Sequence, residues 1–532
     1  MDCVVGSGPA GVACAKALLD RGRTVRMLDA GIGLEPARAE FVAQMRRAAP
    51  ADWEPQQLAR LKEGTSADTK GIPLKLIYGS DFAYRESEQH LPADYDGVGL
   101  RPSLAQGGLS NVWGAAMLPY HERDLAGWPI QVPALAQHYA AVLKLTGLSA
   151  RHDDLERSFP LYLEHPPALD LSRQSQALLA RLERNRTRLE AAGIQFGQAR
   201  LAVRAAQSPN AVEAGCVYCG LCMYGCPYGY IYNSADTLRQ LQQAPNFSYE
   251  PGLIVTKLRE SGAKVVIEGY ERSSRKPIEC EAARVYLAGG VLPTTQILLR
   301  SAPAYDQTVW MKDSQYFLLP LALTRSGGDV RHEALHTLSQ LFVEIFDAAV
   351  SPNTVHLQVY SYNDLIGDAV AKALGPFARP LRFLGRALER RLLIVQGYLH
   401  SDHSARIAVT LKKSTGDGPE RLHLQAQLSP ETKTIIGRVV RKLLRHAPQL
   451  GAFPVGPMLQ IAQPGRGFHS GGTFPMRSPP AAFESDTWGR PHGWQRVHAV
   501  DASVLPSIPA TTITFSVMAN AHRIAWETAG MP

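Results

Sequence analysis

Several things are missing from this 532-residue sequence. No run approaches the ~20 unbroken apolar residues that a membrane-crossing helix needs. No internal repeat or low-complexity linker interrupts it, which excludes a solenoid or a string of tethered modules. Charge is sparse at 20% of residues, and the excess of Lys+Arg over Asp+Glu is only 56 − 48 = 8. Aromatics are not interleaved with basic clusters, so nucleic acid is not an expected partner. The start has no basic segment leading into an apolar one, and the expected location is the cytoplasm. Cysteine is scarce too: three of the seven (Cys3, Cys14, Cys280) are scattered, which excludes a disulfide framework.

What is present begins at once. Cys3 to Val5 is apolar and is followed by Gly6-Ser7-Gly8-Pro9-Ala10-Gly11, a helical pattern over 12–21, and a strand over 24–28 ending at Asp29. Strand, glycine turn, helix, strand and acid within about 30 residues form the dinucleotide-binding fingerprint. Gly6 permits the tight turn, Gly8 lets backbone approach a pyrophosphate, and Gly11 lets the helix pack on the strand. The helix N-terminus offers free N–H groups to the phosphates. Asp29 can accept both hydroxyls of the adenosine ribose, which disfavours a 2′-phosphate. A second glycine-rich loop, Gln106-Gly107-Gly108-Leu109-Ser110-Asn111-Val112-Trp113-Gly114-Ala115, is too polar and pliable for a core and suits the edge of a large planar cofactor.

The length suggests two or three structural units. Strand alternation over 316–323, 341–345, 355–360, 392–399, 406–411 and 422–428 predicts an antiparallel sheet in the middle of the chain. The last section, 464–532, returns to glycine loops, a strand ending at Asp501 and a C-terminal helix. The expected architecture is mixed α/β and α+β. A Rossmann-like domain from residues 1–130, 196–302 and 455–532 is interleaved with a second domain from 131–195 and 303–454.

These motifs together resemble the glucose-methanol-choline (GMC) oxidoreductases, FAD enzymes that oxidise alcohols. Five landmarks stand in that family's order: the Gly6 to Gly11 turn with Asp29; the 107–114 loop; the strand and helix over 285–299; His469-Ser470-Gly471-Gly472-Thr473; and Val500-Asp501-Ala502-Ser503-Val504-Leu505-Pro506. The resemblance implies that Gly6, Gly8, Gly11 and Asp29 hold the ADP half of FAD. It implies that Gly107, Gly108, Asn111, Trp113 and Gly114 lie along the isoalloxazine and pyrophosphate. Val255 would meet the adenine, and Asp501 would sit near the ribityl chain. The middle sheet would cover the flavin as a substrate domain.

Taking a hydride from an alcohol carbon requires the hydroxyl proton to leave, and a histidine suits that general-base role. The resemblance places the base at His469. The family's second active-site residue, an asparagine or histidine, corresponds to Thr512 in the stretch Pro509-Ala510-Thr511-Thr512-Ile513-Thr514-Phe515-Ser516. A threonine hydroxyl can donate or accept a hydrogen bond but cannot act as a base. Two readings stay open: an alcohol oxidoreductase, with a sugar or polyol as the favoured substrate, and a non-redox flavin lyase or isomerase.

Two further segments bear on partners. Cys216, Cys219, Cys222 and Cys226, followed by Pro227, have the spacing of the bacterial ferredoxin run. Their thiolates allow an iron–sulfur cluster of three or four irons, a structural zinc, or a reduced packed loop. The resemblance extends to sugar dehydrogenases that relay electrons through such a cluster. With a cluster, the expected enzyme is a dehydrogenase that passes electrons to a protein or quinone rather than an oxidase. Residues 376–394 set five arginines against one glutamate among large apolar side chains. They read either as a helix of the substrate domain with a solvated basic face or as a peripheral membrane contact.

Overall fold

The computed structural model describes residues 1–64, 74–206, 214–375, 379–380, 382–413 and 419–531. Its first layer is a five-stranded parallel sheet in the order Val497–Ala499, Val285–Leu287, Asp2–Val5, Val25–Asp29, Phe247–Pro251. Parallel neighbours need long crossovers, so this one sheet draws strands from three distant parts of the chain. The strands Asp2–Val5, Val285–Leu287 and Val497–Ala499 are buried at every position. The apolar helices Pro9–Asp20 and Ile513–Thr528 pack against each other beside the sheet. The first strand starts at Asp2, whose buried carboxylate accepts from Arg23 Nε at 2.8 Å.

The second layer is a seven-stranded sheet whose main path runs Ala452–Pro454, Tyr316–Leu323, Leu392–Tyr398, Val355–Tyr360, Leu341–Ile345, Ile194–Gln198. The pairs along it are antiparallel. Strand alternation located its central strands but not their partners. Arg406–Lys412 and Arg421–Gln427, expected in the same sheet, instead join a separate five-stranded sheet with Thr308–Asp313, Ser470–Gly471 and Ala93–Asp96. The expected division at 195/196 falls inside the strand Ile194–Gln198. Period-two alternation marks which residues share a face, and it carries no information on which strand lies alongside.

The expected basic helix over 376–394 is shorter than its composition suggests. It spans Arg382–Glu389, and the strand Leu392–Tyr398 follows. Residues 376–378 and 381 of that stretch lie outside the described residues.

Candidate active site

The parallel sheet and the seven-stranded sheet enclose a cavity of about 1280 Å3. At one end is the first glycine turn. Gly6 has φ +101°, and a Cβ there would stand 2.6 Å from the Ala288 carbonyl oxygen. A Cβ on Gly11 would stand 2.0 Å from the Gly6 carbonyl oxygen. Both glycines therefore serve backbone packing, and Gly6 and Gly8 line the cavity. Asp29, at the end of its strand, accepts at Oδ2 from Ser7 Oγ (2.5 Å) and from the Tyr249 hydroxyl (3.0 Å). Burial raises its carboxyl to about 6, against those two hydrogen bonds, which favour the ionised form.

Ser7 also ties the two glycine loops together, because its Oγ accepts from the Gly107 N–H at 3.0 Å. A Cβ on Gly108 would come within 3.3 Å of Gly8 Cα, so the loops touch backbone to backbone. Asn111 is spent inside its loop: it donates to the carbonyls of Gln106 and Gly108 and accepts from Asn233 Nδ2 at 2.7 Å. Of the expected cofactor residues, Gly6, Gly8, Asp29, Gly108, Trp113, Gly114, Val255 and Asp501 line the cavity, while Gly11, Gly107 and Asn111 stand behind it. Asp501 accepts from the N–H groups of Gly290 and Ser503, each at 2.9 Å, and from the Thr294 hydroxyl at 2.5 Å. It thereby fastens the start of the helix Val291–Ser301. The residues present fit a dinucleotide: two glycine loops meet in the cavity wall, with a carboxylate at the end of the second strand.

At the other end His469 is half-buried and stacks on Tyr398, with ring centroids 4.7 Å apart and planes at 24°. Its Nδ1 has no hydrogen-bond partner among the described residues. Burial, reinforced by His356, lowers it to about 3, so the imidazole is neutral at ordinary pH. The preceding Phe468 has φ +56°, a strained conformation for a bulky residue. Thr512 also lines the cavity; its Oγ1 accepts from the Leu118 N–H at 3.0 Å and keeps its proton free to donate.

Sequence reasoning missed the wall opposite the parallel sheet. Register puts Tyr316, Tyr398, His356 and Glu344 in one cross-strand row and Leu318, Gln396 and Gln358 in the next. His356 Nδ1 meets Glu344 Oε1 at 2.6 Å, with both side chains buried. Gln358 Nε2 lies 3.1 Å from His356 Nε2 and accepts the Tyr360 hydroxyl at Oε1, also at 3.1 Å. The signal was in the run His356-Leu357-Gln358-Val359-Tyr360, where a strand buried at every position carries a polar group at every second one. Lys75 was missed as well. It donates to the Trp113 carbonyl at 3.0 Å, and burial lowers it to about 8, with Cys222 and Cys226 acting the other way.

The four clustered cysteines line one small cavity together with His336 and Leu338. Leu338 also lines the large cavity, as does Met223 from within the cysteine run. Among the described residues no three His, Cys, Asp or Glu side chains converge as ligands of a metal ion. A structural zinc, with each sulfur ~2.3 Å from the ion, therefore finds no preformed site. The sulfurs instead ring a void. The Cys226 sulfur accepts the Tyr230 N–H at 3.4 Å. Burial pushes the thiols of Cys216 and Cys219 up to about 12, and the neighbouring Cys222 and Cys226 add to it.

Comparison with known proteins agrees with this geometry. Residues 404–521, which carry His469, Asp501 and Thr512, match the GMC oxidoreductase family. No curated protein matches the chain in sequence. Among solved structures, the fold is similar to that of pyridoxine 4-oxidase from Mesorbium loti, at 15% identity and a TM-score of 0.55, over 99% of this chain and 98% of that one. Residues 404–521 of the chain thus match the GMC oxidoreductase family, and the chain as a whole shares the fold of that solved structure.

Proposed function

We propose that the protein is an FAD-dependent oxidoreductase of CH–OH donors in which His469 removes the hydroxyl proton. The observation that carries this reading is the neutral His469 imidazole, which lines the dinucleotide-sized cavity beside Thr512. FAD, when bound, supplies a hydride acceptor. Gly8 and Gly108 would take its pyrophosphate, Asp29 the ribose, Val255 the adenine, and Trp113, Gly114 and Asp501 the remainder. The chain's own contribution at the far end is a base held in one orientation by Tyr398, a Thr512 hydroxyl able to steer but not deprotonate, and walls that keep water out.

The lining bears on the substrate. On the seven-stranded sheet the cavity side presents Leu318, Pro320, Ala322, Leu392 and Ile394, with Gln358, Gln396, Gln460 and the tyrosines Tyr316, Tyr360 and Tyr398 as its polar groups. This supports an alcohol carried on a largely apolar body over a free sugar or polyol. Anaerobic mixing with a panel of apolar and polyhydroxylated alcohols tests the proposal: an oxidoreductase bleaches its flavin with a substrate. Turnover with the flavin still oxidised would replace it by the non-redox lyase or isomerase reading, which Thr512 motivates.

Asp29 gives a second measurable outcome. Asp29→Ala should fold normally and retain FAD ~10-fold more weakly after gel filtration, the scale of a lost charge-assisted hydrogen bond. In the unsubstituted protein, FAD affinity should be level above pH 6 and fall as pH drops through that value, because only the ionised carboxylate accepts from both ribose hydroxyls.

We further propose an iron–sulfur cluster at Cys216, Cys219, Cys222 and Cys226. The ferredoxin-like spacing of the cysteines and the place of Leu338 in the walls of both cavities support it. Such a cluster supplies one-electron relay and favours a dehydrogenase over an oxidase. Anaerobically reconstituted protein should contain about three or four irons per FAD. Incorporation should improve with rising pH, since the raised thiols must lose protons on loading. Iron-free protein after reconstitution would make the loop structural.

A further inference from the structure

The helix Arg382–Glu389 is built inside out. Its inward positions are Gly385 and Glu389, both buried, and the Glu389 carboxylate takes Nε and Nη2 of Arg331 at 2.7 and 2.6 Å. Its large apolar side chains point outward: Phe383 is 69% exposed, Leu388 46% and Leu384 41%. An amphipathic helix of a globular protein turns its apolar stripe to the core; this one turns it to solvent. Arg382 and Arg386 share the outer surface, flanked by the exposed Arg379, Arg390 and Arg391. None of the five makes an ion pair among the described residues. Asp368, on the neighbouring helix Asp364–Leu374, is the acid that faces this edge of the cavity, beside Lys372.

The large cavity reaches the surface at this place. Leu388 lines it, and so does Met458, which is 50% exposed. The mouth is therefore rimmed by solvent-facing apolar groups and by unpaired cations of one sign.

We propose that this face docks on an anionic lipid surface, with Phe383, Leu384 and Leu388 in the acyl–headgroup boundary and the arginines on lipid phosphates. Arginine stems lie along apolar surface while their heads reach outward, which matches a helix lying in the interface plane. A second copy of this chain fits the surface less well, because a two-fold interface would set the five arginines against five others. Docking seats the cavity mouth at headgroup level, so that an apolar alcohol dissolved in the bilayer reaches His469 without crossing water. That last step rests on the proposed alcohol oxidation; the docking itself does not.

The test is co-sedimentation of the FAD-loaded protein with vesicles at ~0.1 M salt, comparing pure phosphatidylcholine with a phosphatidylcholine–phosphatidylglycerol mixture. Binding is expected to the mixed vesicles and not to the neutral ones. Arg382→Glu with Arg386→Glu should lower it ~10-fold or more. Phe383→Ser with Leu384→Ser should lower it comparably, and both double variants should keep the flavin spectrum and the melting temperature. Equal binding to both vesicle types, or binding unaffected by either double variant, would overturn the proposal. So would a concentration-dependent dimer abolished by Phe383→Ser, which would make a second copy the occupant. Vesicle binding without flavin bleaching by any alcohol would leave the docking standing and remove the alcohol chemistry.

Discussion

Replacing His469 by alanine should leave the protein yellow and nearly unable to reduce its flavin. The side chain contacts the Tyr398 ring and the cavity and offers nothing to the glycine turn, so FAD should be retained at full stoichiometry. Anaerobic stopped-flow with a substrate should show flavin reduction slower by ~10²- to 10⁴-fold, the range for loss of a positioned general base. The pH dependence is a companion signature. An exposed histidine near pH 6.5 would impose an acid limb there. His469 sits at about 3, so reduction should hold steady from pH 8 down past pH 5. The same depression makes protonation costly to the fold: the stability it represents is complete above pH ~6.5 and is lost as pH falls toward 3. A reduction rate unchanged in the alanine variant would remove His469 from the chemistry.

Gly11→Ala should act at the opposite end and abolish cofactor binding altogether. The added Cβ would stand 2.0 Å from the Gly6 carbonyl oxygen and 3.0 Å from its carbon. Neither is the yielding tip of a flexible side chain. The helix Pro9–Asp20 would have to lift from the first strand, carrying Gly8 away from Gly108. Overpacking a rigid contact costs about 3 kcal/mol, at the upper end of the usual range. Denaturant unfolding should register that loss, and the purified variant should be colourless even with excess FAD. A variant of normal stability that binds FAD would show that the close packing of this helix is dispensable.

Gly11 was readable because its requirement is local. The helix and strand it brings together are consecutive in the chain, and no distant element is needed to foresee the contact. The same holds for Gly6, for Gly8 and for Asp29 at the end of the next strand. Asn111 shows where local reading fails. An amide in a glycine loop suggests a cofactor contact, but Asn233, more than a hundred residues later, occupies its oxygen.

The wall opposite the parallel sheet was hidden for a related reason. His356, Gln358 and Tyr360 were visible as alternation in a strand, yet their function depends on lying beside Tyr398, Gln396 and Ile394. Alternation specifies a face and leaves the neighbour open; packing of the whole sheet chooses it. The pairing of Ala93–Asp96 with Arg421–Gln427 is of the same kind.

The sequence by itself determined the dinucleotide turn, the cysteine spacing and the position of the C-terminal landmarks, because each is a short-range constraint written in glycine, acid or thiol. Only the tertiary structure decided that His469 loses its charge, since desolvation comes from side chains converging from remote segments. It alone placed Leu338 in the walls of both cavities. It also turned the apolar side of Arg382–Glu389 outward, because Arg331 claims Glu389 for the interior and so fixes the helix's rotation.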